Sequence, residues 1–69
     1  MSWYEFCEKA EDMGATVNSD ETVYFKGLMF EEDGYIYKYV SHIYEYVCIS
    51  SNRTEKQMLA IMEALKWVY

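Results

Sequence analysis

The sequence predicts a single α+β domain with an N-terminal helix, a three-stranded antiparallel sheet and a C-terminal helix. Apolar residues recur at helical spacing near both ends of the chain, whereas the middle alternates β-branched and aromatic residues with polar ones. With 69 residues, the chain has room for one domain, residues 1–69. We expect both helices to pack on one sheet face, because two helices are too few to cover both.

The first helix is predicted over residues 2–13. Ser2 and Glu5 have the spacing of a capping box, in which each side chain bonds a free backbone amide at the helix start. Gly14 is placed to end the helix. Apolar residues form one stripe along it, namely Trp3, Phe6, Cys7, Ala10 and Met13.

The sheet is predicted from three segments of alternating residues. The strands lie at about 22–30, 35–41 and 43–49, with a possible short extra strand at 15–17. Asp33-Gly34 is a strong hairpin signal, because both residues tolerate positive φ. A two-residue turn at Ser41-His42 is the weaker signal for the second hairpin.

This turn at Ser41-His42 sets which side chains face each other and which face of the sheet they occupy. It opposes Val40 to Ile43, Lys38 to Glu45 and Tyr37 to Tyr46, and the last two are favourable cross-strand pairs. One face is then aliphatic, with Val23, Phe25, Gly27, Met29, Ile36, Lys38, Val40, Ile43, Glu45, Val47 and Ile49. The other is tyrosine-rich, with Tyr24, Lys26, Leu28, Phe30, Tyr35, Tyr37, Tyr39, Tyr44, Tyr46 and Cys48. We expect the aliphatic face to meet the helices, because buried tyrosine hydroxyls need partners; burial of the tyrosines is the alternative.

The second helix is predicted over residues 54–68. Thr54 and Gln57 form another capping box. The apolar stripe behind it comprises Met58, Ile61, Met62, Leu65 and then Val68 or Tyr69. The chain therefore begins and ends with an amphipathic helix.

Catalytic and metal-binding patterns are absent from the sequence. His42 is the single histidine and falls in a predicted turn. Cys7 and Cys48 form no Cys-x-x-Cys pair, and we expect both thiols to be reduced and buried. The sequence also lacks a glycine-rich phosphate loop. We therefore expect no enzyme, with no catalytic residues, no cofactor and no bound metal.

The acidic residues are concentrated in the first half of the chain. Residues 1–34 hold nine acids and two bases, whereas residues 35–69 hold three acids and four bases, which together give the net charge of −6. The predicted turns carry Asp20, Glu21, Glu31, Glu32 and Asp33. If these turns lie on one side, they form a negative patch that attracts a basic partner; an acidic surface that serves solubility alone is the alternative. The negative charge argues against direct nucleic-acid binding.

Tyrosines supply a second candidate surface. Five of the eight tyrosines are Tyr35, Tyr37, Tyr39, Tyr44 and Tyr46. Exposed tyrosines are enriched in interfaces, because they offer a large contact area and a polar tip; the alternative is that they are strand formers packed under a helix. We expect a cytoplasmic protein without a membrane partner, since the sequence has no membrane-length apolar run and no positively charged start of a secretory signal.

The predicted element order resembles that of the double-stranded-RNA-binding domain, and residues 50–57 are similar to the basic helix start of that family. Only Arg53 and Lys56 match its lysine cluster, and Glu55 opposes them, so we expect no RNA binding. Small size, acidity and element order also resemble those of phage inhibitors of the anti-CRISPR type. This resemblance implies carboxylates that mimic nucleic acid, here Asp20, Glu21, Glu31, Glu32 and Asp33, with exposed tyrosines as apolar anchors.

The sequence thus favours a non-enzymatic phage or mobile-element inhibitor. Its expected partner is a basic nucleic-acid-binding defence protein of the host, such as a CRISPR effector. An antitoxin or immunity protein would share the same physics. The alternative function is that of a self-associating structural or regulatory subunit whose tyrosine-rich face forms a homo-oligomer interface.

Overall fold

The computed structural model describes residues 1–68 and has two layers, a five-stranded antiparallel sheet and two helices. The elements in chain order are α1 (Trp3–Asp12), β1 (Thr16–Val17), β2 (Val23–Phe25), β3 (Leu28–Phe30), β4 (Ile36–Val40), β5 (Glu45–Ser50) and α2 (Glu55–Leu65). Each strand pairs with the next one in sequence, so the sheet is a simple meander. The α+β class and the terminal helices agree with the sequence prediction, and the possible short extra strand is present as β1.

Both helices begin at the predicted N-cap residues, and of the capping box predicted for α1 the half made by Ser2 is formed. The Ser2 hydroxyl accepts a hydrogen bond from the Glu5 amide at 3.1 Å. At α2 the capping box is complete, because Thr54 Oγ1 accepts from the Gln57 amide at 3.1 Å and Gln57 Oε1 accepts from the Thr54 amide at 3.0 Å. α2 ends at Leu65, before the predicted end at residue 68. Tyr69, one of the two candidates for the end of the apolar stripe, lies outside the described residues.

The prediction of three strands is wrong because the segment 22–30 folds as a hairpin of its own. Lys26 and Gly27 form its turn, with φ angles of 48° and 80°. Two consecutive residues with positive φ are typical of a type I′ turn, which joins two antiparallel strands by two residues. The single strand expected there is therefore β2 and β3, and with β1 the sheet has five strands.

This turn also changes the face on which β3 places its side chains. Phe25 lies opposite Leu28, and Val23 lies opposite Phe30. Directly opposed residues of an antiparallel pair share a face. Leu28 and Phe30 therefore lie on the buried face instead of the predicted tyrosine-rich face. Met29 lies on the tyrosine-rich face instead of the predicted aliphatic face.

The turn between β4 and β5 is longer than predicted. It contains residues 41–44 instead of two residues, so Tyr39 lies opposite Tyr46 and Val40 opposite Glu45. Between Tyr37 and Val40 the predicted register is thus wrong by two residues, and a shift of two keeps these side chains and their partners on the predicted faces. A bulge opposite Ile36 and Tyr37 then adds one residue to β5, so that Ile36 lies opposite Ser50. Ile43 and Tyr44 lie in the turn and are exposed.

A single core lies between the helices and one sheet face. It consists of Trp3, Phe6, Cys7, Ala10, Ala15, Val23, Phe25, Leu28, Phe30, Ile36, Met58 and Met62. The Phe6 ring stacks on Trp3 at 4.5 Å and lies 6.3 Å from Phe30, between ring centroids. The expected aliphatic core face is buried at β2 and at Ile36. Lys38 and Val47 lie on the same face but are exposed, so the core does not extend to them.

Candidate interaction surface

The meander brings two acidic turns to the same end of the sheet. β2 and β3 are antiparallel, so the turn before β2 (residues 18–22) lies beside the turn after β3 (residues 31–34). The turns at residues 26–27 and 41–44 lie at the opposite end. The charge asymmetry of the sequence therefore becomes an asymmetry between the two ends of the molecule.

An open cleft of about 410 Å³ lies between the two acidic turns, and we call it the acidic cleft. Its lining residues are Trp3, Asp20, Glu21, Thr22, Glu31, Glu32 and Asp33. All five carboxylate residues that the sequence suggested as partner contacts therefore line one cleft. Trp3 and Thr22 also line it, and no sequence pattern assigns either of them to the site.

The first acidic turn is attached to α1. Glu21 has a positive φ of 64°, and its carbonyl accepts a hydrogen bond from Trp3 Nε1 at 2.8 Å. The Glu21 amide donates to the Asn18 carbonyl at 2.9 Å, and the Thr22 amide donates to Asp20 Oδ1 at 3.1 Å. These bonds fix the backbone from which the carboxylates of Asp20 and Glu21 project.

The second acidic turn is held by its own backbone and by the segment before α2. The Gly34 amide donates to the Glu31 carbonyl at 3.0 Å, and the Tyr35 amide donates to Asp33 Oδ1 at 3.1 Å. The Gly34 carbonyl accepts from the Arg53 amide at 3.0 Å. A Cβ at Gly34, where φ is 91°, would stand 2.8 Å from the Arg53 carbonyl oxygen, so the close approach requires glycine.

The cleft carboxylates form no salt bridge with a base among residues 1–68. The salt bridge in that part of the chain joins Lys66 to Glu63 at 3.7 Å, on α2. Arg53 lies beside the second turn through its backbone, but the Nε of its guanidinium donates to the Ser50 hydroxyl at 2.7 Å. The described residues contain no group of three His, Cys, Asp or Glu side chains arranged to hold a metal ion. The negative charge of the cleft is therefore not offset by a salt bridge within residues 1–68 and can attract a basic protein.

A second, smaller depression continues the negative surface along α1. It has a volume of about 260 Å³ and is lined by Tyr4, Cys7, Glu8, Glu11, Val17 and Glu21. Glu21 lines both depressions. Glu8 and Glu11 were not among the predicted site residues, although their spacing of three on a helix places them on one side of α1.

The thiol in this depression is poorly suited to nucleophilic chemistry. Cys7 is buried, and burial together with the carboxylates of Glu21, Glu32 and Glu11 raises the pKa of its thiol. Its Sγ lies 3.9 Å from the Glu21 carbonyl oxygen. Cys48, by contrast, is exposed on β5, so the expectation that both cysteines are buried is wrong for Cys48.

The sheet face away from the helices is rich in tyrosine, and we call it the open face. It carries Tyr24, Met29, Tyr37, Tyr39, Tyr46 and Cys48. The rings of Tyr39 and Tyr46 lie 5.2 Å apart between centroids, and those of Tyr24 and Tyr46 lie 6.0 Å apart. Tyr39 and Tyr46 are 39% and 41% exposed, which leaves a partly accessible aromatic surface.

The predicted tyrosine contacts do not all belong to this surface. Tyr35 is adjacent to it, with its ring 6.4 Å from that of Tyr37, so four of the five predicted tyrosines lie at or beside the open face. Tyr44 lies in the turn after β4, at the end of the sheet opposite the acidic cleft, and is 82% exposed. A contact surface centred on the cleft therefore does not include Tyr44.

The acidic cleft and the open face meet at Glu31. Desolvation and the Glu31 carboxylate raise the pKa of the Tyr37 phenol. Desolvation, the Tyr46 phenol and the carboxylates of Asp20 and Glu31 raise the pKa of Tyr24. Carboxylates of the cleft thus act on the phenols of two tyrosines of the open face.

The comparisons with known proteins add no assignment to this surface. No protein-family model, curated protein or solved structure matches the chain. Along residues 1–68, neither helix combines the length and the apolar character needed to cross a lipid bilayer.

Proposed function

We propose that this protein is a non-enzymatic inhibitor that occupies the basic nucleic-acid-binding surface of a host defence protein, with carboxylates in the place of phosphates. The observation that carries the proposal is the acidic cleft, in which two separate turns contribute five carboxylate residues. A CRISPR effector is one protein of the proposed partner class, and the source of the inhibitor would be a phage or another mobile element.

Electrostatics give the reason for this choice of partner. Lysine and arginine side chains that bind phosphate also form strong charge-assisted hydrogen bonds with carboxylates. A cluster of one sign attracts an oppositely charged surface from a distance and raises the association rate by about 10- to 1,000-fold. The hydrogen bonds within both turns hold the carboxylate-bearing backbone in place before the partner arrives. Binding consequently requires little ordering of the turns.

The adjoining tyrosines supply the apolar part of the contact. Tyr37 and Tyr24 stand beside the cleft, and Tyr39 and Tyr46 continue the aromatic surface away from it. Tyrosine is enriched where protein interfaces form, because its ring gives contact area at small entropic cost and its hydroxyl remains hydrated or bonded. Charge would guide the partner to the cleft, and these rings would lengthen the lifetime of the complex.

The arrangement of the nucleophilic residues favours binding over catalysis. The raised pKa of the Cys7 thiol keeps it protonated near neutral pH. His42, the single histidine, is exposed in the turn at the opposite end of the sheet from the acidic cleft. A Cys–His pair of the kind used in thiol enzymes needs the two groups within hydrogen-bond distance.

A competition experiment with two charge-matched variants tests the proposal. The cleft variant carries Glu31→Gln, Glu32→Gln and Asp33→Asn, and the control carries Glu45→Gln, Glu55→Gln and Glu63→Gln, so the net charge changes equally. Each protein is titrated against a purified guide-loaded CRISPR effector bound to fluorescent target DNA. We expect the unaltered protein and the control to displace the DNA, and the cleft variant to be at least about tenfold weaker. Displacement that is equally strong with the cleft variant, or insensitive to salt, would contradict nucleic-acid mimicry.

A further inference from the structure

The two edges of the sheet differ in how far they are open to another strand. β1, at one edge, has two residues and contacts α1. β5, at the other edge, has six residues, and Glu45 to Ile49 are all exposed. Within residues 1–68, β5 pairs with β4 alone. A long exposed edge presents unpaired backbone amides and carbonyls that favour pairing with another chain.

The hydrogen bonds of β4 show which β5 amides point outward. The Tyr39 amide donates to the Gly27 carbonyl at 3.0 Å, so the backbone groups of Tyr39 face β3 and not β5. Its partner on β5, Tyr46, is therefore in a non-hydrogen-bonded pair and directs its own amide and carbonyl away from β4. By alternation, Val47 points its backbone groups inward and Cys48 points them outward, before the bulge opposite Ile36 and Tyr37.

The sequence of β5 lacks the lysine and proline residues that protect many edge strands, and its bulge lies beyond Cys48, near the end of the strand. Its residues are Glu45-Tyr46-Val47-Cys48-Ile49-Ser50, with one charge at the first position and no proline or lysine. Natural edge strands are commonly protected by lysine, proline or an inward charge. Val47 and Ile49 are large aliphatic residues that are 41% and 54% exposed.

We propose that β5 pairs edge to edge with β5 of a second copy of this chain, antiparallel, with Val47 opposite Val47 of the second copy. The outward groups of Tyr46 then meet those of Cys48 of the second copy, which gives about four backbone hydrogen bonds across the two-fold axis. A register centred on Tyr46 would require Tyr44 to extend the strand, and its φ of 54° prevents this. The Val47-centred register uses the regular part of β5.

Charge also favours this arrangement. β5 runs from the turn at residues 41–44 toward the acidic end, so antiparallel pairing points the two acidic clefts in opposite directions. Glu45 lies opposite Ile49 of the second copy, and no like charges face each other along the paired strands. The open faces of the two copies join into one longer aromatic surface and remain uncovered. A junction of two short strands is small, so we expect a reversible dimer with a Kd on the order of 10–100 μM.

Introducing a positive or a negative charge at Val47 tests the pairing directly. Val47→Lys and Val47→Glu each place two like charges opposite each other across the axis, whereas an equimolar mixture places opposite charges there. Sedimentation velocity over a concentration series should show concentration-dependent dimerisation for the unaltered protein and a dimer weakened at least about tenfold for each variant alone. The mixture should recover a heterodimer, visible with a fluorescent label on one variant. Val47→Thr is the matched control that should retain the dimer, and circular dichroism checks that every variant is folded.

Three outcomes would overturn the proposal. The unaltered protein could remain a monomer up to about 1 mM, well above the expected Kd. The mixture could associate no better than either variant alone. A dimer that persists in both single variants would place self-association elsewhere, with the open face as the remaining surface. The dimer does not depend on the proposed inhibitor function, because the cleft variant described above should dimerise normally even if it no longer displaces DNA.

Discussion

The two halves of the sheet have similar compositions and different surroundings. β2 and β3 bury Val23, Phe25, Leu28 and Phe30 against the helices. In β4 and β5 the buried strand residue is Ile36, and Val47, Ile49, Tyr39 and Tyr46 are exposed. Helix coverage, and not the β-forming character of the residues, decides which half is core. The uncovered half carries most of the open face and the free edge, so the same kind of sequence supports stability in one half and contact in the other.

Removing a large side chain from the covered half should give the largest effect on stability. Phe30 is fully buried against Phe6, and Phe30→Ala should lower the free energy of unfolding by about 3–5 kcal/mol through lost burial and a cavity. A domain of this size has about 3–10 kcal/mol in total, so much of this variant should be unfolded. Ile43→Ala, in the exposed turn of the other half, should change stability by about 0.5 kcal/mol or less. Urea denaturation followed by circular dichroism measures both, and similar losses would show that the open half also contributes a core.

The helices were predictable because their signals are local. Each cap and apolar stripe lies within a few consecutive turns of one element, so the start of α1 at Ser2 and that of α2 at Thr54 follow from short stretches of sequence. The end of α2 was less predictable, since apolar residues continue to Val68 after the helix stops at Leu65. The spacing of apolar residues indicates that a helix is present but does not indicate where the helix ends.

The hairpin of β2 and β3 was missed because its turn has weak sequence signals. Lys26-Gly27 lacks the Asn-Gly or Asp-Gly pair that marks most type I′ turns. A signal was nevertheless present, because an uninterrupted strand would place Gly27 on the aliphatic face and Phe30 on the opposite one. The turn brings Val23, Phe25, Leu28 and Phe30 to one face, and burial of these four side chains favours two short strands over one long strand.

The acidic cleft was predictable in composition but not in geometry. The five carboxylate residues could be named from the charge distribution, but their grouping depends on an even number of strands between the two turns. With residues 22–30 as one strand, the turns would lie at opposite ends of it. The hairpin at Lys26-Gly27 supplies the additional reversal that brings them together. Trp3 joins the site through a hydrogen bond to Glu21, for which the sequence has no pattern.

The turn after β3 joins the two halves of the sheet. A substitution at its glycine should give the next largest loss of stability. Gly34→Ala forces a left-handed conformation on alanine and also brings its Cβ within 2.8 Å of the Arg53 carbonyl oxygen. Gly27→Ala, in the turn within the covered half, meets the same kind of backbone strain but has no atom within 4 Å of the new Cβ. We expect a loss of about 1–2 kcal/mol for Gly27→Ala and a larger loss for Gly34→Ala. Thermal unfolding of the two variants compares them, and equal losses would mean that the contact with Arg53 relaxes at no cost.

The two thiols differ in burial and should therefore differ in reactivity. Cys7 is on the buried side of α1, and burial and the carboxylates of Glu21, Glu32 and Glu11 raise the pKa of its thiol, whereas Cys48 is exposed on β5. The thiolate is the reactive form, so iodoacetamide at neutral pH should alkylate Cys48 at least about tenfold faster than Cys7 in the folded protein. Peptide mass spectrometry of timed samples measures both rates, and in urea they should become similar.

The raised pKa of the Cys7 thiol makes the free energy of unfolding depend on pH. The folded protein holds the Cys7 proton more tightly than the unfolded chain does, so this contribution to folding is complete below the unfolded thiol's pKa of about 8.5 and is lost as the pH rises through the folded value. Cys7→Ala should therefore flatten the decline of stability at alkaline pH. Denaturant titrations from neutral to alkaline pH measure the slope for Cys7→Ala and for the unaltered protein. A decline that is as steep in Cys7→Ala as in the unaltered protein would assign the alkaline sensitivity to other groups, of which the phenols of Tyr24 and Tyr37, whose pKa values are also raised, are the first to examine.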